Sequence, residues 1–258
     1  LVLCAMLLIA SHASSASDSN FSEVFEDDNF PASSHGLIWS AQNNDTHFGQ
    51  MYYPATTQGT ATPIDNTSGP YPLLIWIGAD GEANDQYDWL GMHLAKAGYI
   101  TIVLPPDWNS ADTQNQCLSI LYLWYRLEYN HNNGSFQGDP ENMRDAFDLH
   151  HWGIGGHGLG AKQAAQCQLI LSGAWSEFVS LPLPTALVAL GLENVNTDIT
   201  DESLGPSPQP GMGLYLTGTL DNLAKANTNV EQWLDEQSIP WHYMSVIGAN
   251  HVQYQDES

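Results

Sequence analysis

The chain has 258 residues, enough for one large domain or two small ones. It carries 29 Asp and Glu against only 5 Lys and Arg, a formal net charge of -24 at pH 7 that arises more from scarce bases than from abundant acids. So negative a surface repels phosphate backbones and anionic lipid, which excludes nucleic acid and membrane surfaces as expected partners. A saline medium would screen the self-repulsion.

Leu1 to Ala10 is an apolar run followed by Ser11-His12-Ala13-Ser14-Ser15-Ala16, the pattern of a secretory leader and its cleavage site. Residues 1–16 are read as a truncated signal peptide, without an initiator Met or a basic flank, and the protein as secreted, extracellular or periplasmic. The 10 apolar residues fall short of the roughly 20 that span a bilayer, and Cys4 precedes the end of the run rather than following it as a lipidated cysteine would. Residues 17–35, acidic from Asp18 to Asn29, read as a mobile segment. Residues 36–258 read as one domain, because no linker-like composition divides them.

Gly36 to Gln42 and His47 to Tyr53 are strand-like runs joined by Asn43-Asn44-Asp45-Thr46, which is hairpin chemistry. Leu73 to Ile77 is a continuous apolar run of the buried-strand type, followed by a glycine turn and a helical segment from Asp85 to Ala97. Tyr99 to Leu104 is the next strand, stopped by Pro105-Pro106. Thr113 to Tyr129 predicts a helix with Leu118, Leu121 and Tyr125 on one face. A strand from His150 to Gly155, a helix from Leu159 to Leu171 and a strand from Thr185 to Leu190 follow. The Pro-rich run Gly205 to Pro210 reads as a loop. Leu214 to Thr217, Val230 to Glu236 and His242 to Ile247 complete a strand, helix, strand series. The alternation predicts an α/β fold: a mostly parallel central sheet with an antiparallel N-terminal hairpin and helices on both faces. Cys117 and Cys167 fall on neighbouring helices, either as a disulfide or as two buried free thiols.

In such sheets chemistry gathers at the carboxyl ends of the strands. The unusual residues fall there: Gly78-Ala79-Asp80-Gly81, Gly156-His157-Gly158-Leu159-Gly160, Gly218-Thr219-Leu220-Asp221 and Gly248-Ala249-Asn250-His251. Acyl transfer needs a nucleophile on a tight strand-to-helix turn, a histidine to take its proton, a carboxylate to orient that histidine, and backbone N–H groups for the oxyanion. The chain follows the order nucleophile position, acid, histidine. At the nucleophile position, however, G-x-S-x-G reads G-x-G-x-G.

With Tyr71-Pro72-Leu73-Leu74-Ile75-Trp76 and His93-Leu94-Ala95-Lys96-Ala97-Gly98-Tyr99, these motifs make the chain, from about Gln50 to Tyr254, resemble the α/β-hydrolases. The nearest likeness is to their dienelactone hydrolase, chlorophyllase and cutinase-like polyester hydrolase relatives. The resemblance implies His251 as general base, Asp221 as its orienting acid with Glu193 as fallback, and Gly158 as a degenerate nucleophile position. The oxyanion amides would be those of Leu159 and of Asp80 or Ala79. No metal or other cofactor is implied. The same likeness implies a final helix, whereas the sequence stops at Ser258. Glycine cannot attack, so the expected protein descends from carboxylic-ester hydrolases and is impaired or inactive, with the old pocket open to a small apolar or ester ligand. The alternative is an active esterase in which water is activated by His251 and Asp221.

Rival chemistry has weaker footing. Gly153-Ile154-Gly155-Gly156-His157-Gly158 is also G-x-G-x-x-G, the dinucleotide fingerprint, but the strand ending in an acid that should follow is missing, since Gly173 to Pro184 is not strand-like up to Glu177. His150 and His151 alternate faces on a strand, so they do not share an ion and read as core or interstrand residues. Trp76 and Trp152 read as core, while Trp89, Trp108 and Trp175 stand nearer the strand-end loops as candidate walls of an apolar cleft. Asn20, Asn44, Asn66 and Asn133 begin N-x-[ST] sequons.

Overall fold

The computed structural model describes residues 29–40, 46–79, 84–105, 113–172, 182–192, 212–221 and 241–250. Nine strands form one sheet: β1 Ala32–Ser40, β2 Thr46–Pro54, β3 Gly59–Thr60, β4 Tyr71–Ile77, β5 Ile100–Leu104, β6 Phe147–His157, β7 Ala186–Leu190, β8 Met212–Gly218 and β9 Trp241–Val246. Their spatial order is β3-β1-β2-β5-β4-β6-β7-β8-β9. The hairpin β1–β2 is antiparallel, β2 runs antiparallel to β5, and the sheet is parallel from β5 to β9. Three helices are described: α1 Asp88–Lys96, preceded by a 3-10 turn at Asn84–Tyr87, then α2 Thr113–Asn133 and α3 Leu159–Ser172. This is the expected α/β class. The helix expected at Val230–Glu236 and the Pro-rich loop lie outside the described residues.

The continuous apolar strands are explained by two cores. Leu73, Ile75 and Ile77 of β4 join a cluster with Cys117, Ile120 and Trp124 of α2 and Ala161, Ala164 and Ala165 of α3. The alternate residues Leu74 and Trp76 join a second cluster with Tyr87, Leu90, Leu94 and Ala95 around α1. Successive strand residues point to opposite faces, so a strand covered on both must be apolar throughout. At about 25 cal/mol per Å² of buried apolar area, each of these Leu and Ile side chains contributes roughly 1.5–3 kcal/mol before entropy is counted. α1 reaches the sheet closely because it carries Gly91, where a Cβ would overlap the Tyr52 ring. The Tyr52 hydroxyl donates to the Asp88 carboxylate on the same helix.

Three expectations are corrected. β1 begins at Ala32, inside the stretch read as mobile: Ala32 and Ser33 are buried, and Ser33 Oγ donates to the Gly59 carbonyl of β3 at 3.0 Å. On α2 the buried stripe is Cys117, Ile120, Leu121, Trp124 and Leu127, whereas Tyr125 is 41% exposed and Leu118 half-buried. Cys117 sets that face, because it is bonded to Cys167 on α3. His150 and His151 are both exposed, neither core nor interstrand. Pro72 pairs with Asp148 but Leu73 pairs with Trp152, so residues 149–151 form a bulge that breaks the alternation. Asp148 braces it by accepting both backbone N–H groups at 3.2 Å and contacting His151 Nδ1 at 2.7 Å.

One of the five bases is committed to the interior. Arg126 on α2 donates to both carboxylate oxygens of Asp139, at 2.5 and 3.3 Å, and to the Ile38 carbonyl of β1. Asn130 adds a bond of 2.8 Å to Asp139, whose side chain is 2% exposed. His35 lies 3.9 Å from the same carboxylate, yet burial outweighs that attraction and keeps its pKa below the ordinary imidazole value. Arg126→Ala should therefore cost about 3 kcal/mol by stranding a buried carboxylate. The Cys117→Ala/Cys167→Ala double variant should cost about 2–4 kcal/mol through the added freedom of the unfolded chain, the disulfide spanning 50 residues. Both losses are read from urea unfolding midpoints at unchanged slope.

Candidate functional site

The sheet order locates the crevice. From β4 the chain passes to β5 on one side and then crosses to β6 on the other, so the winding reverses between β4 and β6. Ligands of open α/β sheets bind at such a switch point, beyond the carboxyl ends of the strands. The ends that meet there are Gly78-Ala79 after β4 and Gly158 after β6.

The turn from β6 into α3 depends on its glycines. Gly158 adopts φ of +57°, the left-handed region that favours glycine, and its N–H donates to the Leu190 carbonyl of β7 at 2.9 Å. Gly156 and Gly160 serve a different need. A Cβ at Gly156 would overlap the Gly160 backbone, and one at Gly160 would overlap the carbonyl oxygens of Gly78 and Ile77. The first turn of α3 thus lies directly on the end of β4. Leu159 opens that helix, and the first N–H groups of a helix have no intrahelical acceptor.

The other two loops are also joined. Thr219 N–H donates to Val246 at 3.0 Å, Leu220 N–H to Ala249 at 2.9 Å, and Gly248 N–H to Thr219 Oγ1 at 2.8 Å. A Cβ at Gly218 would overlap the Ala249 carbonyl. The acid turn and the loop leading to the candidate histidine are therefore packed backbone to backbone. Asp221 is 3% exposed. His251, Glu193, Asp80, Trp108 and Trp175 lie outside the described residues. Below Asp221 on β8, the Tyr215 hydroxyl is fully enclosed and burial pushes its pKa far up, so it stays a neutral phenol.

One site expectation changes. Ala79 is not placed as an oxyanion donor: its N–H donates to Tyr87 Oη at 2.8 Å, and that hydroxyl lies 2.9 Å from His157 Nδ1. Trp89, a candidate cleft wall, is half-buried and packs against the α1 core cluster. His157 is buried, in keeping with a residue that points into the sheet and not at the site. Tyr87 is the residue sequence reasoning missed. The available signal was that a buried histidine requires a polar partner.

The dinucleotide reading loses its geometry. Gly153 and Gly155 lie within β6, paired with Ala186 and Val188 of β7, and not in the turn where they could approach a pyrophosphate. Gly155 instead makes room for its neighbours, since a Cβ there would come within 2.8 Å of the Val188 carbonyl and 2.9 Å of the Trp76 ring. Among the described residues no group of three or more His, Cys, Asp or Glu could hold a metal ion, and no helix is long and apolar enough to cross a membrane.

The fold is that of an α/β protein, with the candidate loops gathered at the carboxyl edge of its sheet. No family model matches the chain, and no curated protein matches it either. If the glycine contacts set the site, Gly160→Ala should lower stability by about 2–3 kcal/mol, because backbone must move to admit the methyl. Ala at the half-buried Gly134 meets no neighbour within 4 Å and keeps only the strain of φ +90°. A Gly134→Ala loss as large as that at Gly160, in parallel urea titrations, would refute the packing argument.

Proposed function

We propose that this chain is an α/β-hydrolase-fold protein of carboxylic-ester hydrolase ancestry whose nucleophile position holds Gly158. On this reading it is catalytically impaired or inactive and retains a pocket for a small apolar or ester ligand. The observation that carries the proposal is the strand-turn-helix at 156–160: it sits at the switch point, has a left-handed residue at its apex, and presses its helix onto β4. That is the setting in which a nucleophile elbow exposes its side chain. Burial of Asp221 and its turn's bonds to the loop preceding His251 support their roles as orienting acid and base. The oxyanion donors are then Leu159 and Asp80, with Ala79 engaged elsewhere.

A nucleophile in this turn would hold a strained backbone, at a cost of about 1–3 kcal/mol for a non-glycine residue in the left-handed region. Glycine removes that strain along with the nucleophile. The disulfide between Cys117 and Cys167 supports an oxidising, exported location.

The proposal is tested with Gly158→Ser. The variant should hydrolyse short-chain aryl esters at least about 100-fold faster than the unaltered chain, since a missing triad member leaves only residual catalysis. It should also take up a serine-reactive fluorophosphonate probe and unfold at a lower urea concentration. Ordinary enzyme rates from the unaltered chain would favour the active-esterase reading. An inactive, folded Gly158→Ser would remove Asp221 and His251 from their assigned roles.

A further inference from the structure

We propose that Tyr87 and His157 are positioning residues of this site, which lock the loop after β4 to the end of β6 through a buried relay from Ala79 N–H to Tyr87 Oη to His157 Nδ1. The relay itself stands on the geometry alone; its consequence for catalysis rests on the functional reading above.

Its three members come from separate places in the chain. Ala79 begins the loop that leaves β4, Tyr87 ends the 3-10 turn at which that loop enters α1, and His157 is the last residue of β6. The relay therefore pins both ends of one loop to the strand that carries position 158. β4 and β6 are direct neighbours, with Ile77 opposite Gly156, so the link closes across the switch point itself. Tyr87 and His157 are fully buried and Ala79 is 4% exposed. The Tyr87 ring is further held edge-on to His157, with centroids 6.2 Å apart, and tilted against Trp76 at 6.1 Å.

Tyr87 Oη is the shared member of both contacts: it accepts the Ala79 amide proton at 2.8 Å and lies 2.9 Å from His157 Nδ1. A tyrosine hydroxyl has one proton to give and lone pairs to accept with, so one oxygen can serve both neighbours at once. Phe at 87 and Leu at 157 would fill the same space without desolvating polar groups, and what they would not do is tie Ala79 and Tyr87 to the end of β6. Because the relay occupies the Ala79 amide, it also decides which amides are left to face the substrate.

The test has two arms. In the unaltered chain, the Nδ1 resonance of His157 should carry the signature of a hydrogen bond, and the Ala79 amide should be protected from exchange. Tyr87→Phe, which keeps the buried ring, should remove that signature and speed Ala79 exchange at least about tenfold by removing its acceptor. An Nδ1 resonance or an Ala79 exchange rate unchanged in Tyr87→Phe would overturn the relay. In the Gly158→Ser background, Tyr87→Phe and His157→Leu should lower kcat about 10- to 100-fold with KM within about twofold, as loosened positioning does. His157→Asn, which returns a hydrogen-bonding group near the place of Nδ1, should recover most of that loss. Unchanged kcat in both variants, or no recovery with Asn, would overturn the positioning role. Failure of Gly158→Ser itself to hydrolyse esters counts against the functional reading, and the exchange and nitrogen-resonance measurements then decide the relay by themselves.

Discussion

The contact on which the site depends is the close approach of α3 to β4. Helices normally stand off a sheet by the thickness of two layers of side chains, and here the first turn of α3 has none at the critical points. Gly156 and Gly160 let backbone meet backbone, so the helix N-terminus is set against Ile77 and Gly78. Everything else follows from that placement. Gly158 adopts a left-handed turn, its amide is bound to β7, and Gly78 at the end of β4 lies against Gly160. The disulfide from α2 to Cys167 holds the far part of the same helix, so α3 is fixed at both ends by unlike means.

The same constraint bears on what replaces a nucleophile. In the proposed reading, a side chain at 158 would be presented to substrate only at the cost of a strained backbone, and glycine is the residue that accepts the turn without strain. Loss of the reactive group and gain of local stability are then one event, an instance of the usual trade between activity and stability. Tyr87 and His157 sit beside this turn as a polar inclusion in an otherwise apolar interior. Their bonds add little net energy compared with apolar packing of the same volume. Their effect is geometric: the Ala79 amide is committed inward.

The acidic character of the chain leaves its mark away from the site. With five bases available, Arg126 is placed where one charge organises most, bridging α2, β1 and the loop at Asp139. An exposed pair would contribute little there, since surface pairs are screened and entropically costly, whereas a desolvated bidentate pair fixes a register.

The sequence by itself determined the α/β class, the strands from Leu73 through Ile247 to within a few residues, and the four glycine-rich strand ends, because both-sided burial and tight turns leave strong compositional marks. It also singled out Gly158. It could not give the bulge at 149–151, the inward face of α2, the closure of Cys117 with Cys167, or the reach of β1 back to Ala32, since each depends on a partner distant in the chain. For the same reason the sequence could not give the packing of Trp89 against the α1 core, since a large aromatic near a strand end looks alike in composition whatever it touches. Ala79 was offered as an oxyanion amide because sequence shows that an N–H exists and not where it points. The tertiary structure gave that N–H to Tyr87, whose hydroxyl the fold also brings against the buried His157.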